Sequence, residues 1–459
     1  MISFLGANGF NTYIYAPKSD PYIRSTWRKT HPQGRQERLD ELIRAAAKSG
    51  VDFIFTVSPG LDIAYSSLAD QRLLVSRVRS ATVRGCGWVG IFLDDIEPRL
   101  VNASDRRRFR SLGEAHVSLL NGLFDELAKD GTRLMLCPTY YANDYLGKKA
   151  SENEYLEEIR AGLAGGVDVM WTGKKVISAR ITKKDVSEFF RAIGRKPFLW
   201  DNYPVNDYYG DRARLNVGPF EGRAPEILPL LAGYVSNPMN ESEASKIPLL
   251  TLRDYLRNPY MYSPEKSLAR AARKMFAGRS PYDDVTLLVD CTRAGPLNRK
   301  EAEDLRLLTR ELMKPTENPQ PEKWKALSRE LESRLTAIVG LRERMLARGR
   351  KRKMLTELEP VVNKTREIAE LGVASLKLME AREEGYARSE RQFRIDATKK
   401  MKGVKANRVQ ALGEVVFNTS GDDIGLTPVR IESPLIELYR WSLKTSKWLP
   451  ARSRKAQFR

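Results

Sequence analysis

Between Trp88 and Leu100 the chain reads WVGIFLDDIEPRL. Its apolar character runs unbroken from Trp88 to Leu93, meets two adjacent carboxylates, Asp94 and Asp95, and turns away at Pro98. A short apolar run bounded by turn residues is the pattern of a strand buried on both faces. Such strands belong to parallel sheets covered by helices. The pattern recurs in FNTYIYAP from Phe10, DFIFTVSP from Asp52 and RLMLCPT from Arg133. It recurs again in VDVMWTG from Val167, PFLWDN from Pro197 and GYVSNP from Gly233. Helical patterns lie between them, such as RQERLDELIRAAAKSG from Arg35, whose Leu39, Leu42, Ile43 and Ala46 share one face. Alternation at roughly 30 to 45 residues predicts an α/β fold, a (β/α)₈ TIM barrel.

A barrel of this kind needs eight strands, and seven are legible. The opening MISFLGANG reads as the tail of a helix ending at Gly9, so the first strand is expected to be missing. From about Ser263 strand signals vanish and charged helical patterns begin. In EKWKALSRELESRLTAIVGLRERM, the residues Trp324, Leu327, Leu331, Leu335, Ile338 and Met345 keep helical spacing. The expected organisation is a catalytic barrel over 1–262, a helical bundle over 263–410 and a basic C-terminal segment of mixed signal over 411–459. KPTENPQPE, from Lys314, is a break between bundle helices, and RSRKAQFR is a frayed basic end.

The chain has 459 residues, of which 42% are hydrophobic and 30% charged. No apolar run approaches the roughly 20 residues that span a bilayer. The net charge of +20 leaves a polyanion-binding role open beside the plainer reading of a solvated Arg-rich surface. RERMLARGRKRK, from Arg342, is the densest basic run. Three scattered cysteines, Cys86, Cys137 and Cys291, give neither a disulfide framework nor a zinc motif. Two histidines, His31 and His116, argue against a Ser-His-Asp triad or a multi-histidine metal centre. Catalysis is expected to use carboxylates.

The loops that follow the strands build the active face of such a barrel. Lys18, Asp94 with Asp95, Cys137, Tyr141, Trp171, Trp200, Asn202 and Asn237 all sit there, although turns select several of these residue types anyway. Two neighbouring carboxylates do not both ionise cheaply, so one is expected to be raised in pKa, giving an acid and a base. Adjacent side chains are poorly placed to flank a sugar ring from opposite faces. They suit a substrate that carries its own nucleophile, such as a 2-acetamido carbonyl. A divalent-metal site and a simple helix N-cap are the rival readings.

With these residues in view, the chain resembles glycoside hydrolase family 84. These are the β-N-acetylglucosaminidases, among them protein O-GlcNAcases and bacterial hyaluronidase-like enzymes. The likeness covers about residues 3–262 and rests on GFNTYIYAPKSDPY, SPGLDIAYS, IFLDDI, CPTYY, WTGKKVIS, LWDNYPVND, GPFEGR and SNPMNESEAS. It implies that Asp94 orients the acetamido N–H and that Asp95 is the acid and then the base. It implies further that Cys137, Tyr141 and Trp200 line the acetamido pocket, with Asn202 in the acetamido and Asp94 region. Asp207 would hold the 4- and 6-hydroxyls with Asn237 close by, and Lys18 would reach the 3-hydroxyl side. No cofactor or metal is implied.

Relatives normally open with a strand ending in Gly-Phe-Tyr-Gly, which this chain lacks. Ile23 stands where many relatives have histidine. The expected function is therefore a retaining exo-β-N-acetylglucosaminidase, and the alternative is a weak or inactive GlcNAc- or glycoprotein-binding relative disabled by the missing strand. The expected partner is a GlcNAc-bearing glycoconjugate or glycoprotein, with no nucleic acid and no membrane span. Cysteine usage leans towards the cytoplasm.

Overall fold

The computed structural model describes residues 1–147, 149–207, 214–276, 281–293, 295, 297, 302–314, 321–347, 352–407, 415–416, 430–431 and 434–444. Seven strands follow one another in chain order: β1 (Thr12–Tyr15), β2 (Asp52–Val57), β3 (Trp88–Phe92), β4 (Arg133–Cys137), β5 (Val167–Trp171), β6 (Phe198–Asp201) and β7 (Gly233–Ser236). Each pairs in parallel with the next, giving one curled sheet in the order β1 to β7. All seven expected strands are present. Among the described residues no ladder joins β1 to β7, and every residue of these two edge strands is only partly buried. The opening segment is a helix, Ile2–Ala7, closed by Gly9 at φ +80°, a backbone conformation that glycine enters without penalty.

Strand alternation sorts the side chains into two layers. Ile54, Trp88, Phe92, Met135, Cys137, Met170 and Phe198 fill the inside of the sheet. Phe53, Phe55, Val89, Ile91, Leu134, Leu136, Val169 and Leu199 point outward against the helices. Gly90 holds an inner position where a Cβ would lie 2.9 Å from the Phe92 ring and 3.0 Å from the Thr56 methyl. The helix Gln33–Lys48 buries Leu39, Ile43 and Ala46. Leu42, expected on the same face, is 37% exposed, because it lies at the margin of a stripe that the sheet covers only in part.

From Pro264 onward the described chain is almost wholly helical. Helices Pro321–Val339 and Arg352–Glu383 contribute to a second core that includes Leu331, Leu335, Ile338, Ile368 and Leu371, with Trp324 and Leu327 packed at its edge. Met239, Ile247 and Leu250, from the chain after β7, enter the same core and fuse it to the sheet. The expected continuous stripe is interrupted at Gly340, where one helix ends and Leu341–Leu346 begins. Within 411–459 the basic segment contains a helix, Pro434–Lys444, which buries Leu435, Ile436, Leu438 and Tyr439. Its apolar face finds a partner only once the long helices are assembled. The end RSRKAQFR lies outside the described residues, as do the middles of the Pro-rich break and of the densest basic run.

Candidate active site

Alternation along β3 continues past its end: Phe92 points inward, Leu93 outward and Asp94 inward. The turn is pinned by Leu93 N–H donating to the Cys137 carbonyl (2.8 Å) and Thr139 Oγ1 donating to the Leu93 carbonyl (2.8 Å). Plain alternation would send Asp95 outward. Instead Asp95 takes φ +53°, a left-handed conformation uncommon outside glycine but tolerated by Asp and Asn. Both carboxylates thereby face one cavity. It is about 170 Å³ in volume and is lined by Lys18, Asp94, Asp95, Cys137, Tyr141, Trp200, Asn202, Asp207 and Asn237. These are the nine residues to which the resemblance gave site roles, contributed by five different strand ends. Trp171, also expected on this face, instead points outward, fully buried and stacked on Phe189 with ring centroids 5.0 Å apart. Thr172, Val176, Ile177 and Val205 complete the wall.

Asp94 is buried, and its Oδ2 lies 2.5 Å from Lys18 Nζ. Its Oδ1 is buried with no hydrogen-bond partner. A buried carboxylate oxygen left unpaired is costly, so it marks a place where a donor is expected to arrive. Asp95 is about half exposed (47%) and fully engaged. Tyr141 donates its hydroxyl to Oδ1 (2.8 Å), Lys18 pairs with Oδ2, and Arg24 donates to the backbone carbonyl (3.0 Å). Burial alone would raise the Asp95 pKa, but the charge and hydrogen bond of Lys18, the Tyr141 hydroxyl and Arg24 together hold it below the usual carboxylate value. The expectation that one of the pair is raised is therefore not met at Asp95, because a lysine 77 residues away in the chain closes onto it. Asp207, exposed at the rim, is raised by desolvation. Burial pushes the Cys137 thiol well up, which leaves it a neutral wall residue.

β6 shows the same alternation. Trp200 points inward and packs on Phe92 with ring centroids 5.5 Å apart, Asp201 points outward, and Asn202 returns to the cavity. Asp201 is locked behind the sheet by Arg223, whose Nε and Nη2 each donate at 2.6 Å, and by the Tyr234 hydroxyl. Its backbone carbonyl accepts from Tyr203 and Asn237 N–H, both at 2.9 Å. Asn202 does not reach Asp94. Its Nδ2 donates to the Val176 carbonyl (2.8 Å) and its Oδ1 accepts from Asn237 Nδ2 (3.0 Å). This clasp sets the spacing of two cavity walls, which no local signal in the sequence announces. Arg24 and Tyr145, the latter 3.2 Å from the Tyr141 hydroxyl, were likewise unmarked.

Both histidines brace loops instead of lining the cavity. His31 Nε2 lies 2.8 Å from Asp20, which also accepts from Tyr15 and from the Tyr22 N–H and so fixes the loop that carries Lys18. His116 lies between the hydroxyls of Tyr65 and Tyr155, each at 2.9 Å. A larger cavity of about 450 Å³ opens between β1 and β7 and shares Trp200 and Asn237 with the first. It contains no acidic or basic side chain, so the chemistry is assigned to the smaller one. Among the described residues no group of three or more His, Cys, Asp or Glu is placed to hold a metal ion, and no helix is long and apolar enough to cross a membrane.

The chain is similar in sequence and in fold to proteins already known. Residues 1–290 match a family model described as beta-N-acetylglucosaminidase. Protein O-GlcNAcase from Rattus norvegicus and from Mus musculus are each 35% identical over 248 residues, covering 54% of this chain and 27% of theirs. The match thus spans about a quarter of the length of these relatives. Among solved structures, an Asp-to-Asn mutant of the Thermobaculum terrenum O-GlcNAc hydrolase superposes with a TM-score of 0.86 at 26% identity, over 97% of this chain and 90% of that one. The structure of CpGH84B gives 0.80 at 25% identity, over 96% and 73%.

Proposed function

Because the chain belongs to the β-N-acetylglucosaminidase family, glycoside hydrolase family 84, we propose that it is a retaining exo-acting enzyme that removes terminal β-linked GlcNAc with help from the substrate's own acetamido group. The names of its relatives point to GlcNAc on proteins as the substrate. The observation that carries the reading is Asp94 Oδ1, buried, unpartnered and beside the cavity. An acetamido N–H supplies the donor it lacks.

Held there, the amide carbonyl oxygen attacks the anomeric carbon, and the bond to the aglycone breaks as the new C–O bond forms. Asp95 gives its proton to the departing oxygen. In the second step Asp95 takes a proton from water, whose oxygen attacks the anomeric carbon and reopens the oxazoline. Two inversions leave the configuration retained. Cys137, Tyr141 and Trp200 enclose the acetamido group, and the Tyr141 hydroxyl sits near the forming ring. Asn202 and Asn237 fix the wall, while Asp207 and Lys18 meet the sugar hydroxyls. No metal or cofactor takes part in this reading. Three free cysteines accord with a cytoplasmic setting.

The test is hydrolysis of aryl β-GlcNAc substrates with good and poor leaving groups by the wild type, Asp94→Asn and Asp95→Asn. Loss of either group is expected to cost about 10²- to 10⁴-fold, the usual range for acid–base groups. Asp94→Asn should lose activity evenly across the series. Asp95→Asn should lose progressively more as the leaving group worsens, because poor leaving groups need the proton. Wild-type turnover in both variants would refute the assignment. GlcNAc binding by a folded wild type without turnover would favour a binding relative.

A further inference from the structure

We propose that Lys18 is a latch released by the substrate: its ammonium bridges Asp94 and Asp95, and entry of the sugar parts it from Asp95, which then takes from solvent the proton it donates. This rests on the enzyme reading above and specifies how the acid is loaded.

The geometry sets the problem. An acid must begin the first step protonated, with an oxygen free to face the leaving group. Both Asp95 oxygens are engaged, Oδ1 by Tyr141 and Oδ2 by Lys18. The groups facing Asp95 are Lys18 and Arg24 from the loop after β1, Asp94 beside it, Tyr141 with Cys137 and Tyr145 from β4 and its loop, and Asp207 from the loop after β6. Arg24 is committed to the backbone carbonyl of Asp95. Lys18 carries its charge on a flexible four-carbon stem and is 41% exposed, so it can move.

The two carboxylates compete for it unequally. Asp94 is buried and offers its free oxygen to the acetamido N–H, whereas Asp95 is half exposed and must become neutral. A sugar entering the cavity that Lys18 and both carboxylates share brings hydroxyls that replace Lys18's contact with Asp95. Lys18 remains on Asp94 Oδ2. Once the ammonium has withdrawn, only the Tyr141 hydroxyl and Arg24 hold their places against the desolvation that opposes the Asp95 charge, so that charge is less favoured than before. Binding is thereby coupled to proton uptake.

Isothermal titration of GlcNAc into the full chain near pH 5.5, in buffers of differing ionisation enthalpy, reads that uptake directly. The wild type is expected to take up roughly half a proton or more per GlcNAc bound. Lys18→Met should take up distinctly less, and Lys18→Arg should restore the uptake. In rate profiles the alkaline limb of kcat/KM, which reports the free enzyme, should lie below that of kcat in the wild type. The two limbs should converge in Lys18→Met. Binding and turnover without proton uptake, or with equal uptake in Lys18→Met, would overturn the latch and leave the enzyme reading intact. A folded chain that neither binds GlcNAc nor hydrolyses aryl GlcNAc would overturn both.

Discussion

Asp95 holds a left-handed backbone conformation that costs an ordinary residue about 1–2 kcal/mol. The cost is tolerable because Arg24 grips its carbonyl while Tyr141 and Lys18 hold its carboxylate. Glycine enters this region freely and alanine does not. Asp95→Gly is therefore expected to unfold at a higher denaturant concentration than Asp95→Ala, by about 1 kcal/mol, with both variants equally inactive. Equal stabilities would mean that the strain is absent. Asp94 and Asp95 were legible as a pair from IFLDDI alone. The turn that aims them into one cavity was not, because φ at Asp95 is set by partners that lie 71 and 46 residues away.

Among the elements, the helix Leu112–Ala128 shows how burial fixes a protonation state. His116 projects from it into full burial between Tyr65 and Tyr155, and desolvation pushes its pKa down to about 3. The folded chain thus keeps it neutral, while the unfolded chain protonates it near pH 6.5. Its contribution to stability is complete above pH 6.5 and is lost progressively as the pH falls towards 3, at up to about 1.4 kcal/mol per pH unit. Urea unfolding between pH 4.5 and 6 should therefore show a shallower pH slope for His116→Gln than for the wild type, whatever the absolute stabilities. Parallel slopes would contradict the buried neutral histidine. Periodicity located the strands and the stripe of Leu39, Ile43 and Ala46, since apolar spacing reports which face is covered. It misplaced Leu42 and ran past Gly340, since the extent of a covered face depends on what packs there.

At the scale of the molecule, the sheet is one strand short of a closed circuit among the described residues, and its two edges flank the larger cavity. Edge strands present unpaired backbone groups and open at lower free energy than central ones. Native-state hydrogen exchange should accordingly be faster in β1 and β7, where every residue is partly buried, than in β3, where every residue is buried. Uniform protection across the seven strands would mean that the edges are covered. The order of strands and the strand ends that bear polar groups were determined by the sequence itself, because apolar runs and their parallel succession are local properties of the chain. The tertiary structure alone decided which partners each of those groups finds. Lys18 closes on both acids, Arg24 clamps one of them, Asn202 turns to Val176 and Asn237, and Asp94 Oδ1 is left without a partner. These contacts join residues 26 to 77 positions apart, and their energies depend on burial and distance, which exist only after the chain has folded.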